Sequence, residues 1–223
     1  MKNPMMKNQV IVQPSRPIIR GLYAITPDET DSARLLDMVA TAITGGASVV
    51  QYRNKQADRA LRLTQAERLL TLCRRHRVPL IINDDPELCR EIGADGVHIG
   101  ASDGELYQIR ALLGEQSVIG ASCYNNLALA QQAEQQGADY VAFGACFPSA
   151  TKTQAVRAGL GLFRQGRIAL RVPMVAIGGI TPENAGLPIE AGADAVAVIG
   201  ALFEANDIVR TAQAFSRQFA AVD

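Results

Sequence analysis

The chain has 223 residues, with 22 Lys and Arg balanced by 22 Asp and Glu, and 48% of its residues are apolar. That length suits one large core; an α/β barrel commonly fills about 200–250 residues as a single domain. Zero net charge argues against a nucleic-acid-binding protein, which would carry a basic excess, and the apolar content excludes disorder and fibrous repeats.

Residues 1–17 are polar, hold Pro4, Pro14 and Pro17, and show no periodicity. They are expected to form a flexible tail ahead of a single barrel domain over 18–223. The tail lacks the apolar stretch of a secretory signal. No segment reaches the ~18 apolar residues of a membrane span; the nearest, 191–203, is broken by Gly192, Asp194 and Gly200. Cys73, Cys89, Cys123 and Cys146 form no C-x-x-C pair, and only His76 and His98 could join them, so reduced thiols in a cytosolic protein are expected rather than a disulfide framework or a structural zinc site.

From residue 18 onward short apolar runs alternate with longer amphipathic stretches. The runs are 18–25, 48–52, 79–82, 96–99, 117–121, 140–143, 173–177 and 195–199. Each is rich in Val, Ile and Ala and almost continuously apolar, as parallel strands buried on both faces are. Between them 57–76, 127–136 and 207–219 carry the clearest helical spacing. Eight such alternations predict an α/β fold of the closed (β/α)8 TIM-barrel type. An open doubly wound sheet is the alternative, but its G-x-G-x-x-G after the first strand is missing. Gly46-Ala47-Ser48, Gly93-Ala94-Asp95, Gly137-Ala138-Asp139 and Gly192-Ala193-Asp194 precede every second strand. Each Gly is read as a left-handed helix end.

Barrel sites form at the carboxyl ends of the strands, so the residues after each run are the candidates. Gln51, Arg53 and Lys55 stand at period two, which on an extended segment points all three to one side. Two cations there repel each other unless an anion lies between them; a solvated charged loop is the plainer alternative. Asp84 and Asp103 follow strands three and four and could hold Mg²⁺ against substrate phosphates, or could cap the helices that follow. Asp85 precedes Pro86 and reads as a cap. Gly178, Gly179 and Gly200 follow strands seven and eight, where barrels often bind phosphate through backbone N–H groups. Ser149, Thr151 and Lys152 offer hydroxyls and a third cation. His98 is expected to hold a structural hydrogen bond, and His76 to sit exposed at a helix end.

The segments GLYAITPD, GGASVVQYRNK, LIINDDPELCREIGADGVHIG, GADYVAFGACFPSATK, VAIGGITPENA and GADAVAVIGALF resemble thiamine phosphate synthase over residues 21–219. The resemblance implies a transferase of thiamine biosynthesis. Hydroxymethylpyrimidine diphosphate would lose its diphosphate through a carbocation-like path, and a thiazole phosphate would attack, giving thiamine phosphate and pyrophosphate. It implies Mg²⁺ on Asp84 and Asp103, with Arg53, Lys55, Ser122 and Lys152 in catalytic positions. It further implies pyrimidine diphosphate contacts from Gln51, Tyr52, Arg53, Asn54, Lys55, Asn83, Ser122 and Lys152. Thiazole phosphate contacts would come from Ser149, Ala150, Thr151, Gly179, Ile199 and Gly200. Its partners would be small molecules, with neither nucleic acid nor membrane, and a homo-oligomer stays open. Ala101, Ser149, Tyr124 and Gly200 depart from the family pattern, where Gln, Thr, His and Ser are usual. A thiazole tautomerase-like paralogue and a non-catalytic phosphate-ligand binder are the competing readings; the first should have lost the cations or the Asp pair, and both persist here.

Overall fold

A computed structural model describes residues 16–100, 106–148 and 157–220. Eight strands alternate with helices: β1 Gly21–Ile25, α1 Ser32–Thr44, β2 Ala47–Tyr52, α2 Arg59–His76, β3 Leu80–Asn83, α3 Pro86–Ile92, β4 Gly96–Ile99, α4 Leu106–Leu113 and β5 Val118–Tyr124 lead into α5 Leu127–Gln135, β6 Tyr140–Phe143, α6 Leu160–Ala169, β7 Met174–Ile177, α7 Gly186–Glu190, β8 Ala195–Val198, α8 Gly200–Phe203 and α9 Ile208–Ala220. The strands are parallel and close in sequence order, β1 against β8. This is the expected (β/α)8 barrel. Among the described residues no helix is long and apolar enough to cross a membrane.

Strand alternation sorts the core into two layers. Ile19, Tyr23, Ile25, Val49, Ile81, Val118, Tyr140, Ala142, Val175, Ala195 and Ala197 fill the barrel interior. Their neighbours in sequence, such as Leu22, Val50, Ile82, Val141 and Val196, face the helices. Both faces are covered, which is why the strands lack an alternating polar pattern.

Helix ends follow the sequence signals. Asp58 caps α2 through the Leu61 N–H, and Arg74, Arg75 and His76 occupy its last turn, with His76 exposed. Asp85 caps α3 with Pro86 in the first turn, and Gly93 closes it left-handed. Gly46, Gly137 and Gly192 also have positive φ, but each lies one residue past its helix cap.

The recurring Gly-Ala-Asp turns have a further physical cause. Asp95 Oδ2 accepts from the Leu80 N–H at 2.8 Å, Asp139 Oδ2 from Ile119 at 2.7 Å, and Asp194 Oδ2 from Met174 at 2.9 Å. Each carboxylate ties its own strand to the start of the preceding one. At the first copy Ser48 does the equivalent work, donating to the Leu22 carbonyl at 3.2 Å. These contacts lie on the amino-terminal face, where repetition supports the barrel and leaves the opposite face for chemistry. Arg16, at the edge of the expected tail, is tied to the same face through Glu115 and Asp139.

Candidate active site

The carboxyl ends of β1, β2 and β3 gather one polar cluster. Thr26, just past β1, is buried; its hydroxyl donates to the Arg53 carbonyl at 2.8 Å and accepts from the Arg53 N–H at 2.9 Å. That clamp holds the segment after β2 against the end of β1. Asp28 continues it: Oδ1 accepts from the Lys55 N–H at 2.7 Å and from the Arg53 guanidinium at 3.2 Å. Lys55 Nζ reaches across to Asp84 Oδ2 at 3.9 Å, and Asn83 Nδ2 donates to the same oxygen at 2.7 Å. Asp84 has φ of 56°, a left-handed conformation that a non-glycine residue adopts at a cost. Arg53, Lys55, Asn83 and Asp84 therefore belong to one mouth.

Tyr52 and Asn54 do not point into it. The Tyr52 hydroxyl donates to Gln65 Oε1 on α2 at 2.8 Å. Asn54 is 5% exposed; it donates to the Glu29 carbonyl and to Gln65, and accepts from the Gln56 and Ala57 N–H groups. The side chains of both are engaged by the fold, which leaves their expected substrate contacts to a bound ligand. The period that aims Gln51, Arg53 and Lys55 inward aims these two at the helix layer.

Below the mouth runs a chain of hydrogen bonds across the barrel. Gln51 Nε2 donates to Tyr23 Oη at 2.9 Å, Tyr23 and Tyr140 hydroxyls lie 2.8 Å apart, Tyr140 Oη is 2.9 Å from His98 Nδ1, and His98 Nε2 is 2.9 Å from Ser122 Oγ. Gln51 is 3% exposed and both tyrosines are fully buried. Burial pushes both phenols well above their ordinary pKa, so both keep their protons. Gly120 makes room for this: a Cβ there would lie 2.0 Å from the Tyr140 ring. His98 thus has the hydrogen-bonded place expected of it, and Ser122 joins the same array. Tyr23, Tyr140, Asp28 and Gln65 were not among the sequence candidates. A tyrosine inside an apolar strand is the usable signal for the first two, since a buried phenol needs a partner.

Gly178 and Gly179 have positive φ, and a Cβ on Gly179 would lie 2.5 Å from the Pro148 carbonyl oxygen. The loop after β6 packs directly on them, with the Phe147 N–H donating to the Gly178 carbonyl at 2.9 Å. Close packing alone therefore requires these glycines. Ile199 is half-buried and leads into the short α8 that starts at Gly200. Tyr124 has φ of 51° and is 51% exposed. Asp103, Ser149, Ala150, Thr151 and Lys152, with Ala101, lie outside the described residues.

The four thiols are unpaired, and burial pushes each up to about 12. They are therefore poor nucleophiles at neutral pH. Among the described residues no three His, Cys, Asp or Glu side chains stand together as a metal-ligand group. Two grooves open on the amino-terminal face, around Arg167, Arg171 and Asp194 and around Arg20, Arg164 and Phe219. They lie at the end of the barrel opposite the polar mouth.

A closed (β/α)8 barrel with its cations, carboxylate and amides gathered at the strand ends defines a barrel enzyme whose chemistry belongs at that rim. The family described as thiamine monophosphate synthase matches residues 22–202. A thiamine-phosphate synthase of Methylobacillus flagellatus is 57% identical over 205 residues, covering 92% of this chain and 98% of the relative. One from Nitrosospira multiformis is 54% identical over 201 residues, covering 90% and 86%. Among solved structures, a thiamine phosphate pyrophosphorylase from Pyrococcus furiosus superposes with a TM-score of 0.81 at 30% identity, covering 91% of this chain and 96% of that one. The chain belongs to the thiamine monophosphate synthase family: it is a transferase of thiamine biosynthesis, and its substrates are small molecules.

Proposed function

We propose that this chain joins hydroxymethylpyrimidine diphosphate to thiazole phosphate with the help of Mg²⁺ and by a dissociative path. The bond between the pyrimidine methylene carbon and the diphosphate oxygen breaks, and its electron pair leaves on the diphosphate. The thiazole nitrogen then donates its lone pair to that carbon. The products are thiamine phosphate and pyrophosphate. The observation that carries the reading is the convergence of Arg53, Lys55, Asn83 and Asp84 on one rim, braced by Asp28.

A departing diphosphate concentrates negative charge, so fixed cations at its position lower the barrier. Arg53 is fitted to this because its guanidinium can donate two parallel bonds to phosphate oxygens, whereas Lys55 acts as a point charge. The braces from Thr26 and Asp28 hold the Arg53–Lys55 segment before substrate arrives, so less reorganisation is needed during reaction. The amide and hydroxyl of Gln51 and Ser122 would bind the pyrimidine diphosphate. Lys152 would add a third cation, and Ser149, Ala150, Thr151, Gly179, Ile199 and Gly200 would hold the thiazole phosphate.

The donor chemistry at Asp84 fits Mg²⁺. It is a hard oxygen ligand, and its side chain is 41% exposed at the rim. Mg²⁺ usually takes one or two carboxylates and keeps waters and substrate phosphates for the rest. Asp84 and Asp103 would hold it, and when bound it would neutralise charge on the diphosphate. Four unpaired thiols support a cytosolic setting.

The test is titration calorimetry of each substrate with and without Mg²⁺, followed by an assay of pyrophosphate release. Mg²⁺-dependent release that needs both substrates is expected. Binding of both without such release would make the chain a ligand binder and overturn the reading.

A further inference from the structure

The hydrogen-bond chain below the mouth links two ends that the reading above assigns to one substrate. Gln51 stands on β2 and Ser122 on β5, and Tyr23, Tyr140 and His98 from β1, β6 and β4 connect them. Counting protons along it gives the chain a direction. The Gln51 amide nitrogen can only donate, so Tyr23 Oη accepts from it. The Tyr23 proton is then directed to Tyr140 Oη, and the Tyr140 proton to His98 Nδ1. A neutral imidazole whose Nδ1 accepts carries its proton on Nε2 and donates it to Ser122 Oγ. Ser122, half-buried at the end of β5, keeps its own proton for a different acceptor. Each of the four bonds in the series then has one donor and one acceptor, and a buried array linked in this way is stiff.

We propose that Tyr23 and Tyr140 are positioning residues of the condensation: they carry the donor direction of Gln51 across the barrel, hold His98 as its Nε2–H tautomer, and make the Ser122 hydroxyl a donor toward the pyrimidine diphosphate. The last clause rests on the assignment of Ser122 and Gln51 as pyrimidine diphosphate contacts. The rest stands on the geometry and on the proton count for a neutral imidazole. Neither tyrosine touches the mouth itself, so each acts through the residues at the two ends of the array.

The tautomer is directly measurable. The chain has two histidines, His76 and His98, so the full-length protein labelled with 15N-histidine gives two imidazoles, and His76→Asn assigns them. Two-bond 15N–1H correlation is expected to show His98 protonated on Nε2, with Nδ1 at the shift of a hydrogen-bonded acceptor. Tyr140→Phe should remove that hydrogen-bonded shift. Gln51→Glu, an acceptor when ionised, should reverse every donor and move the His98 proton to Nδ1. A side chain with only a packing role would not switch an imidazole three hydrogen bonds away. Wild-type protein with the proton on Nδ1 overturns the proposal, even where Gln51→Glu fails to fold. Kinetics test the substrate half separately. Tyr23→Phe should raise KM for the pyrimidine diphosphate about tenfold, the scale of one well-made buried hydrogen bond, and leave KM for the thiazole phosphate unchanged. The expected tautomer with an unmoved pyrimidine KM keeps the relay and overturns the Ser122 contact, so the two failures are distinguishable.

Discussion

Lys55 Nζ lies 3.9 Å from Asp84 Oδ2, across the gap between the ends of β2 and β3. The two side chains are 62% and 41% exposed, and water screens such a pair so well that it contributes little to stability. Its place at the rim gives it another use. A cation and a carboxylate held apart at near-contact distance can admit a phosphate on one side and a metal ion on the other.

Asp84→Asn keeps the left-handed backbone, which Asn tolerates, and removes only the charge. Turnover should fall about a hundredfold or more, the scale seen when a charge-stabilising group is lost. Thermal unfolding should stay within a few degrees of the parent. Arg53→Ala should behave alike. Parent-like rates in both variants would remove these residues from the reaction.

Asp28 braces both cationic residues, through the Arg53 guanidinium and the Lys55 N–H. Asp28→Ala should loosen that segment and raise KM for the pyrimidine diphosphate about tenfold, since charge-assisted bonds exceed neutral ones in strength. Steady-state kinetics with the thiazole phosphate saturating measures it, and an unchanged KM would mean the brace is idle.

Asn54 lies between two residues of the mouth yet serves the fold. Its amide bridges the Glu29 carbonyl, Gln65 and the start of the next turn. Asn54→Ala should destabilise the barrel by about 2 kcal/mol, because buried partners are left unpaired, while KM for both substrates holds. Urea unfolding beside kinetics separates this variant from Arg53→Ala.

The sequence made the barrel legible because each strand is buried on both faces and each helix carries its own signals. β4 and β6 fall where the apolar runs 96–99 and 140–143 lie. The inward set Gln51, Arg53 and Lys55 was legible from period two alone, and the same parity argues against Tyr52 and Asn54, whose roles came instead from family likeness. Asp28 was not legible: one carboxylate after a strand looks like any turn residue until the neighbouring strand end is beside it. Tyr23 and Tyr140 were hidden for a similar reason, since they are 117 residues apart and only barrel closure lets them meet. The Gly178-Gly179 pair was noticed for its backbone, but tight packing under Phe147 and Pro148 explains the need for glycine without any ligand.

Alkaline pH should weaken the fold. Burial raises Cys73, Cys89, Cys123 and Cys146 from an ordinary value near 9 to about 12. Below pH 9 each thiol is protonated in both states, and stability does not depend on it. Between 9 and 12 the unfolded chain has released protons that the folded chain retains, so unfolding free energy falls as pH rises. The urea midpoint should be lower at pH 10 than at pH 8; an equal or higher midpoint at pH 10 would contradict the burial of these thiols.

The most direct measurement is a crystal structure of the enzyme with an unreactive pyrimidine diphosphate analogue and Mn²⁺ in place of Mg²⁺, located by its anomalous signal. The metal is expected on the Asp84 carboxylate and the diphosphate within hydrogen-bonding distance of Arg53 and Lys55. A ligand seated in the arginine-lined groove of the opposite face, or a metal with no contact to Asp84, would contradict this expectation.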